Sequence, residues 1–221
     1  MRVKFDNKIL FVDKVSIPTV SEVNDCVNFL GCTPTFVRAH GSKHQLEVLD
    51  KILKSEYYLN LEARHPELIP IVDSRTNHLT TGIYPSIPGW HCDNILRSDY
   101  NNQPDIVNVD NNPTYHFACL LCGYDVQVSG TEFLRDSVEL DIDPDAVFKS
   151  MNNRLSGMEL KTFKVRPNTI FSFDNKSIHR ASKSTGYGTR TFFRLSLTKR
   201  EVLNQILKQT QVYLDVNEAG W

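Results

Sequence analysis

A chain of 221 residues, 40% of them apolar and 23% charged, is long enough to bury a sizeable core. The formal net charge is −1, Lys and Arg are scattered, and the longest basic run is Lys199-Arg200, so the basic face that nucleic-acid binding draws on is missing. Five cysteines at irregular spacing make no disulfide framework, and no apolar run approaches the roughly 20 residues that span a bilayer.

The first residues, MRVKFDNKILFVDK, lack the apolar core of a signal peptide, so a soluble protein of a reducing compartment, the cytoplasm, is expected. KILFVDKV opens as a short strand. IPTVSEVNDCVNFLG carries a helix, with Ser21 as N-cap and Gly31 as its stop. Leu46, Leu49, Ile52, Leu53 and Tyr57 recur at the helical period, and Pro66 and Pro70 end that region. Residues 1–78 thus read as an α/β layer flanking something else.

Short strands follow, expected near 80–87, 90–93, 114–122, 124–128, 130–135, 160–165, 169–174 and 189–198. Their density argues for a sandwich or barrel rather than a parallel α/β sheet. RSDYNNQPDIVNVDNNPT, residues 97–114, is rich in Asn, Asp and Pro and reads as a long mobile loop. CLLC at 119–122 has the look of a zinc or redox pair. Residues three apart on a strand point to opposite faces, however, so two core cysteines are expected. DIDPDAVFKSMNNRLSG reads as a helix with Asp143 as N-cap, Pro144 first and Gly157 as stop. KREVLNQILKQTQVYL reads as a final amphipathic helix, assigned to 201–221.

The chemistry-bearing residues sit at two places. PGWHCDN carries His91 and Asp93, two apart. A His-x-Asp pair alone arises easily by chance. Much later comes His179, with Arg190 eleven residues beyond it and Arg194 fifteen beyond, both on the β-prone TRTFFRLSL. Their even separation puts Arg190, Arg194 and Ser196 on one strand face; Phe193, Leu195 and Leu197 take the other. Two imidazoles and one carboxylate are the facial donor set of non-haem Fe(II), which leaves three positions for a bidentate cosubstrate and dioxygen. An arginine fork beside them suits the far carboxylate of such a cosubstrate.

At these residues the chain resembles the Fe(II)/2-oxoglutarate-dependent dioxygenases. The resemblance covers roughly residues 80–200. It implies a mainly β fold with flanking helices: one domain with a double-stranded β-helix core, jelly-roll or cupin-like, over 79–200. It implies that His91, Asp93 and His179 bind iron, and that Arg190 grips the distal carboxylate of 2-oxoglutarate. SGTEF at 129–133 is similar to the turn and threonine that contact 2-oxoglutarate in taurine-dioxygenase-like members, which assigns Thr131 to the same task. Those members carry a second arginine four residues after the first, as RTFFR does. PGWH and TEF are similar to the phytanoyl-hydroxylase branch, and no subfamily is singled out. The RLS of Arg194 and Ser196 matches another clamp used in the superfamily, so Arg190 and Arg194 both stand as candidates. Arg194 has two further readings, a contact with the cosubstrate's other carboxylate and a grip on an anionic substrate group.

The carboxylate at Asp93 stands where halogenating members have a small residue, which implies hydroxylation, with desaturation or ring closure as variants. Fe(II), 2-oxoglutarate and O2 are the implied cofactors, succinate and CO2 the co-products. The implied partner is a small-molecule substrate, an amino acid, a peptide or another small acid of a biosynthetic route. Trp90 has two readings, pocket lining and core packing, and Asn94 and Arg97 two more, substrate contact and solvated loop. His116 reads as a core residue. Two alternatives stand beside the leading one. The spacing of Arg194 and Arg200 resembles the paired arginines of nucleic-acid alkyl demethylases, and a jelly roll can also be a non-catalytic binding protein or hold zinc.

Overall fold

A computed structural model of the protein describes residues 1–123 and 130–214. The N-terminal elements are β1 (Arg2–Phe5), β2 (Leu10–Lys14), α1 (Val20–Asn24), β3 (Phe29–Leu30), α2 (Pro34–His40), α3 (Lys43–Lys54), α4 (Glu56–Arg64) and β4 (Ile69–Leu79). After a long loop come β5 (Tyr115–Cys122), β6 (Thr131–Leu134), β7 (Val138–Asp141), α5 (Val147–Ser156), β8 (Thr162–Lys164), β9 (Thr169–Asp174), β10 (His179–Ala181), β11 (Gly188–Thr198) and β12 (Gln205–Ile206). Strand outweighs helix, and every strand pairing among the described residues is antiparallel.

The main sheet has five strands in the order β2-β9-β5-β11-β4, and a three-stranded sheet has the order β10-β6-β8. Alternation along the strands sorts the core. Phe117, Cys119 and Leu121 of β5, with Phe193, Leu195 and Leu197 of β11, bury against α3 and α4 through Val48, Leu49, Ile52 and Tyr58. The intervening residues Ala118, Leu120 and Cys122 face inward onto Phe133, Phe171 and Phe173. Fully burying a side chain of this size contributes about 1.5–3 kcal/mol, so the two faces of β5 tie both layers to one sheet. Cys119 and Cys122 accordingly lie in different layers.

Helix starts follow side-chain caps. Thr19, not Ser21, caps α1, and its capping box closes through Glu22. Thr33 with Pro34 starts α2, Ser42 with Gln45 starts α3, and Ser55 starts α4. The helix expected from Pro144 begins later, at Val147. The Asp143 carboxylate accepts from the Asp145 N–H at 3.0 Å, which holds a turn there instead, and Gly157 is the C-cap as expected.

The largest departure from the sequence reading is β4. Pro70 looked like a stop, yet it lies opposite Leu197 inside an eleven-residue strand. It is tolerated because β4 is an edge of the main sheet, where a missing N–H costs no ladder bond. The expected strand at 80–87 is turn and bend with one bridge, Tyr84 to Tyr213, and 90–93 contributes only the bridge His91 to His179. The strand expected at 124–128 lies outside the described residues. β1 and β7 pair with each other, unforeseen from the sequence.

The final helix is also corrected over the described residues. β12 pairs with β3, Leu203 and Asn204 donate to Gly31 O, and the segment continues without helix to the bridge at Tyr213. Gly31 has φ +63, and a Cβ there would meet Leu203 at 3.0 Å, so glycine is required at this crossing. The 97–114 loop, expected as mobile, is pinned by the buried Ile106 and Val109. β2 lies within 1–78 and β4 crosses its end at Leu79, and both belong to the same sheet as the strands of 79–200.

Candidate metal centre and its cavity

His91 and His179 are joined by a reciprocal backbone pair: each N–H donates to the other's carbonyl at 3.0 Å. That pair sets their rings side by side, centroids 4.5 Å apart. The peptide before His91 is clamped from α5: Asn152 accepts from the Trp90 N–H at 2.7 Å and donates to the Trp90 carbonyl at 2.9 Å. Each imidazole is then oriented by its own chain. His91 Nδ1 lies 2.7 Å from Gly89 O, and His179 Nδ1 lies 2.9 Å from Ser177 O. A carbonyl oxygen only accepts, so both Nδ1 atoms carry the proton, and Nε2 is the atom through which each ring can offer a metal its lone pair.

Those lone pairs converge on a carboxylate. Asp93 Oδ1 is 3.7 Å from His91 Nε2, and Asp93 Oδ2 is 3.5 Å from His179 Nε2. Ligand atoms of all three residues lie within 4.8 Å of one another. Burial, then the neighbouring His179, pushes the His91 imidazole down to about 4, so it is neutral at neutral pH. Burial alone would raise the Asp93 carboxyl; the Arg194 guanidinium, helped by His179, outweighs it and holds Asp93 ionised. A cation bound among the two Nε2 atoms and the carboxylate would gain three bonds, each imidazole giving a lone pair and Asp93 its charge. The donor set therefore fits a divalent ion such as Fe(II), with both outer nitrogens anchored to backbone carbonyls as metal-binding histidines require.

A buried ion network backs the carboxylate. Arg194 donates through Nη1 to Asp93 Oδ2 and through Nη2 to Asp73 Oδ2, the latter at 3.0 Å. Arg200 Nη1 donates to the same Asp73 oxygen at 2.7 Å, and the Gly31 N–H donates to Asp73 Oδ1 at 3.0 Å. Asp73 comes from β4, directly opposite Arg194 in register. Its carboxyl is held far below the usual range by Arg194 and Arg200, against the burial that would raise it.

These groups open on a cavity of about 250 Å³, lined among others by His91, Asp93, Asn94, Thr131, His179, Arg190 and Arg194. Arg190 is 2% exposed, and burial pushes its guanidinium down to about 10, still cationic at neutral pH. Of the expected residues, Thr131 and Arg190 thus reach the cavity and so does Arg194, but Ser196 does not. Its hydroxyl is engaged by His116 Nδ1 at 2.8 Å, and Ser196 is wholly buried. Asn94 lines the cavity. Trp90 does not: its ring packs in the core and under the Arg180 guanidinium, 4.2 Å from the centroid. Arg97 is also outside the lining, held by the Asn102 carbonyl at 2.9 Å within its own loop.

Sequence reasoning missed Asp73, Arg200 as its partner, and Asn152. Only the pairing of β4 with β11 brings Asp73 to Arg194, and the helix that carries Asn152 lies 62 residues from the peptide it clamps. A β-prone IPIVDSRTNHL with one inward acid was the available signal for the first. The second carried none.

His116 is a core residue, as expected, packed on Phe173 and pushed down to about 3 by burial and then by Arg194. Because the unfolded chain protonates first, near about pH 6.5, stability is complete above that value and is lost as pH falls toward about 3. At pH 5 the loss is about 2 kcal/mol, with a similar contribution from His91 in metal-free protein. Urea unfolding of the metal-free protein at pH 7.5 and pH 5 measures the fall, and His116→Gln is expected to shrink it.

No protein-family model matches the chain, and no curated protein matches it. Solved structures do. An N-substituted L-amino acid dioxygenase from Burkholderia ambifaria is 15% identical, covering 84% of this chain and 74% of that one at a TM-score of 0.36. AviO1 from Streptomyces viridochromogenes is 11% identical, with 90% and 92% covered and a TM-score of 0.46. EvdO2 from Micromonospora carbonacea, complexed with 2-oxoglutarate, is 12% identical, with 72% and 67% covered and a TM-score of 0.37. At such identities and scores the likeness carries no residue correspondences. No helix of the described residues is long and apolar enough to cross a membrane.

Proposed function

We propose that the protein is a non-haem Fe(II)- and 2-oxoglutarate-dependent oxygenase that hydroxylates a C–H bond of a small molecule. The observation that carries this is the convergence of two Nε2 lone pairs, each fixed by a backbone carbonyl, on the Asp93 carboxylate inside a cavity. Bound there, Fe(II) would supply the redox chemistry that couples oxidation of 2-oxoglutarate, to succinate and CO2, to insertion of one oxygen of O2 into a C–H bond. The paired antiparallel sheets support a double-stranded β-helix as the frame.

This chain's residues then divide the remaining work. His91, Asp93 and His179 hold the ion. Arg190 is the better clamp for the far carboxylate of 2-oxoglutarate, with Thr131 beside it on the cavity wall. Arg194 already serves two carboxylates, and Ser196 is spent on His116. Burial of Arg190 strengthens its attraction for an incoming carboxylate and excludes competing water. Arg200, the second arginine of the demethylase-like spacing, is bound to Asp73.

Anaerobic titration with Fe(II) and then 2-oxoglutarate tests the reading. A weak visible charge-transfer band is expected, followed by succinate release in air. Arg190→Ala is expected to raise the 2-oxoglutarate needed for half the band by roughly 10- to 100-fold, the worth of a charge-assisted pair. An unchanged requirement would return the clamp to Arg194. No band in the folded wild type would leave a non-catalytic binding protein.

A further inference from the structure

The charge in the cavity wall is not used up by the metal and cosubstrate. Five arginines line it: Arg75, Arg180, Arg190, Arg194 and Arg200. Against them stand Asp73 and Asp93 in the wall and Glu132, which accepts from Arg180 at 2.8 Å. Among the described residues, the arginines of the wall thus outnumber its carboxylates by two. A divalent ion adds two, and the 2-oxoglutarate dianion removes two. The working site would still be cationic, and a neutral or cationic substrate would leave it so.

The surplus has a location. Arg180 is committed to Glu132 and the Trp90 ring, Arg194 and Arg200 to the aspartates, and Arg190 to the cosubstrate on the reading above. Arg75 makes no ion pair among the described residues. It stands on β4 between Asp73 and Asn77, opposite Phe192 of β11, and it is exposed at the cavity wall. A second donor points the same way. Asn94 Nδ2 is buried in the lining with no hydrogen-bond partner. Beside these polar groups the wall is apolar at Leu30, Pro85, Ile87 and Phe192.

We infer that the substrate is a small acid with an apolar skeleton, whose oxyanion is held by Arg75 with Asn94 while Phe192 and Ile87 cover its carbon chain. This rests on the oxygenase reading. A guanidinium fork and an amide N–H are donors that the paired, charged oxygens of a carboxylate or phosphate satisfy together, whereas a neutral amide or alcohol brings one accepting oxygen and no charge.

The test uses the full chain loaded anaerobically with Fe(II) and 2-oxoglutarate. It compares shape-matched probes: 4-methylpentanoate, 4-methylpentanamide and 3-methylbutyl phosphate. Binding is read as perturbation of the chelate band, and turnover as probe-dependent succinate. The expected result is at least tenfold tighter binding of one or both anions over the amide, with the better anion telling carboxylate from phosphate. Arg75→Gln should abolish that preference, and Arg75→Lys should restore part of it. Both variants should keep the wild-type band and 2-oxoglutarate requirement, since Arg75 is exposed and outside the metal and cosubstrate groups. Equal binding of acid and amide, binding of none of the three, or an unchanged preference in Arg75→Gln overturns the inference while the band stands. Absence of the band in the wild type overturns the oxygenase reading and this inference with it.

Discussion

His179→Ala is expected to abolish metal-dependent turnover, by more than about 1,000-fold. Replacing partners that merely orient metal ligands typically costs 10- to 100-fold, and here a donor itself is lost. The remaining pair, His91 and Asp93, would hold Fe(II) from two directions only, and the ion would exchange freely with solvent. The reciprocal backbone bonds between residues 91 and 179 do not involve the imidazole, so the fold should survive. Three measurements on one preparation separate the cases: Fe(II) affinity, the chelate band and the far-UV circular dichroism. An intact spectrum with lost affinity is the expected outcome. Undiminished affinity would mean that the ion is held elsewhere.

Asp73→Ala is expected to destabilise the protein by about 3 kcal/mol or more, because breaking a buried pair strands its partner's charge. The side chains of Asp73 and Arg194 are only 10% and 13% exposed, and one carboxylate answers two guanidiniums. Without it, Arg194 is left with Asp93 alone and is drawn toward the metal carboxylate, so Fe(II) affinity should fall as well. Arg200→Ala should cost less, since that side chain is 25% exposed and Asp73 keeps Arg194 and the Gly31 N–H. Urea unfolding at pH 7.5 measures both variants. A loss under about 1 kcal/mol for Asp73→Ala would mean that water replaces the pair.

The proposed metal-binding residues and the arginine face stood out in the sequence because residue type and strand alternation are local facts. Alternation along TRTFFRLSL puts Arg190 and Arg194 inward and Phe193, Leu195 and Leu197 outward, and the core clusters have them so. The caps were legible in kind but not in place: a threonine two residues before Ser21 closes the α1 box. What failed depends on position in a sheet that no window of sequence contains. Pro70 stops a central strand but not an edge strand, and only the topology says that β4 is an edge. KREVLNQILKQ has helical periodicity, yet Gln205 and Ile206 pair with Leu30 and Phe29, and the Gly31 carbonyl accepts from Leu203 and Asn204. Trp90 reads equally as lining or core, and Arg180 covering its ring decided for the core.

The bridge between His91 and His179 has a further consequence. These residues are 88 positions apart in the chain yet are direct neighbours across an isolated bridge. An ion bound to both, and to Asp93, closes a long loop that the unfolded chain would have to open. It acts as a removable cross-link, and its contribution to folding grows with the logarithm of the free ion concentration, by about 4 kcal/mol at 1,000 times the dissociation constant. If the ion is iron, its supply would then set how often the chain opens to proteases as well as how fast it works.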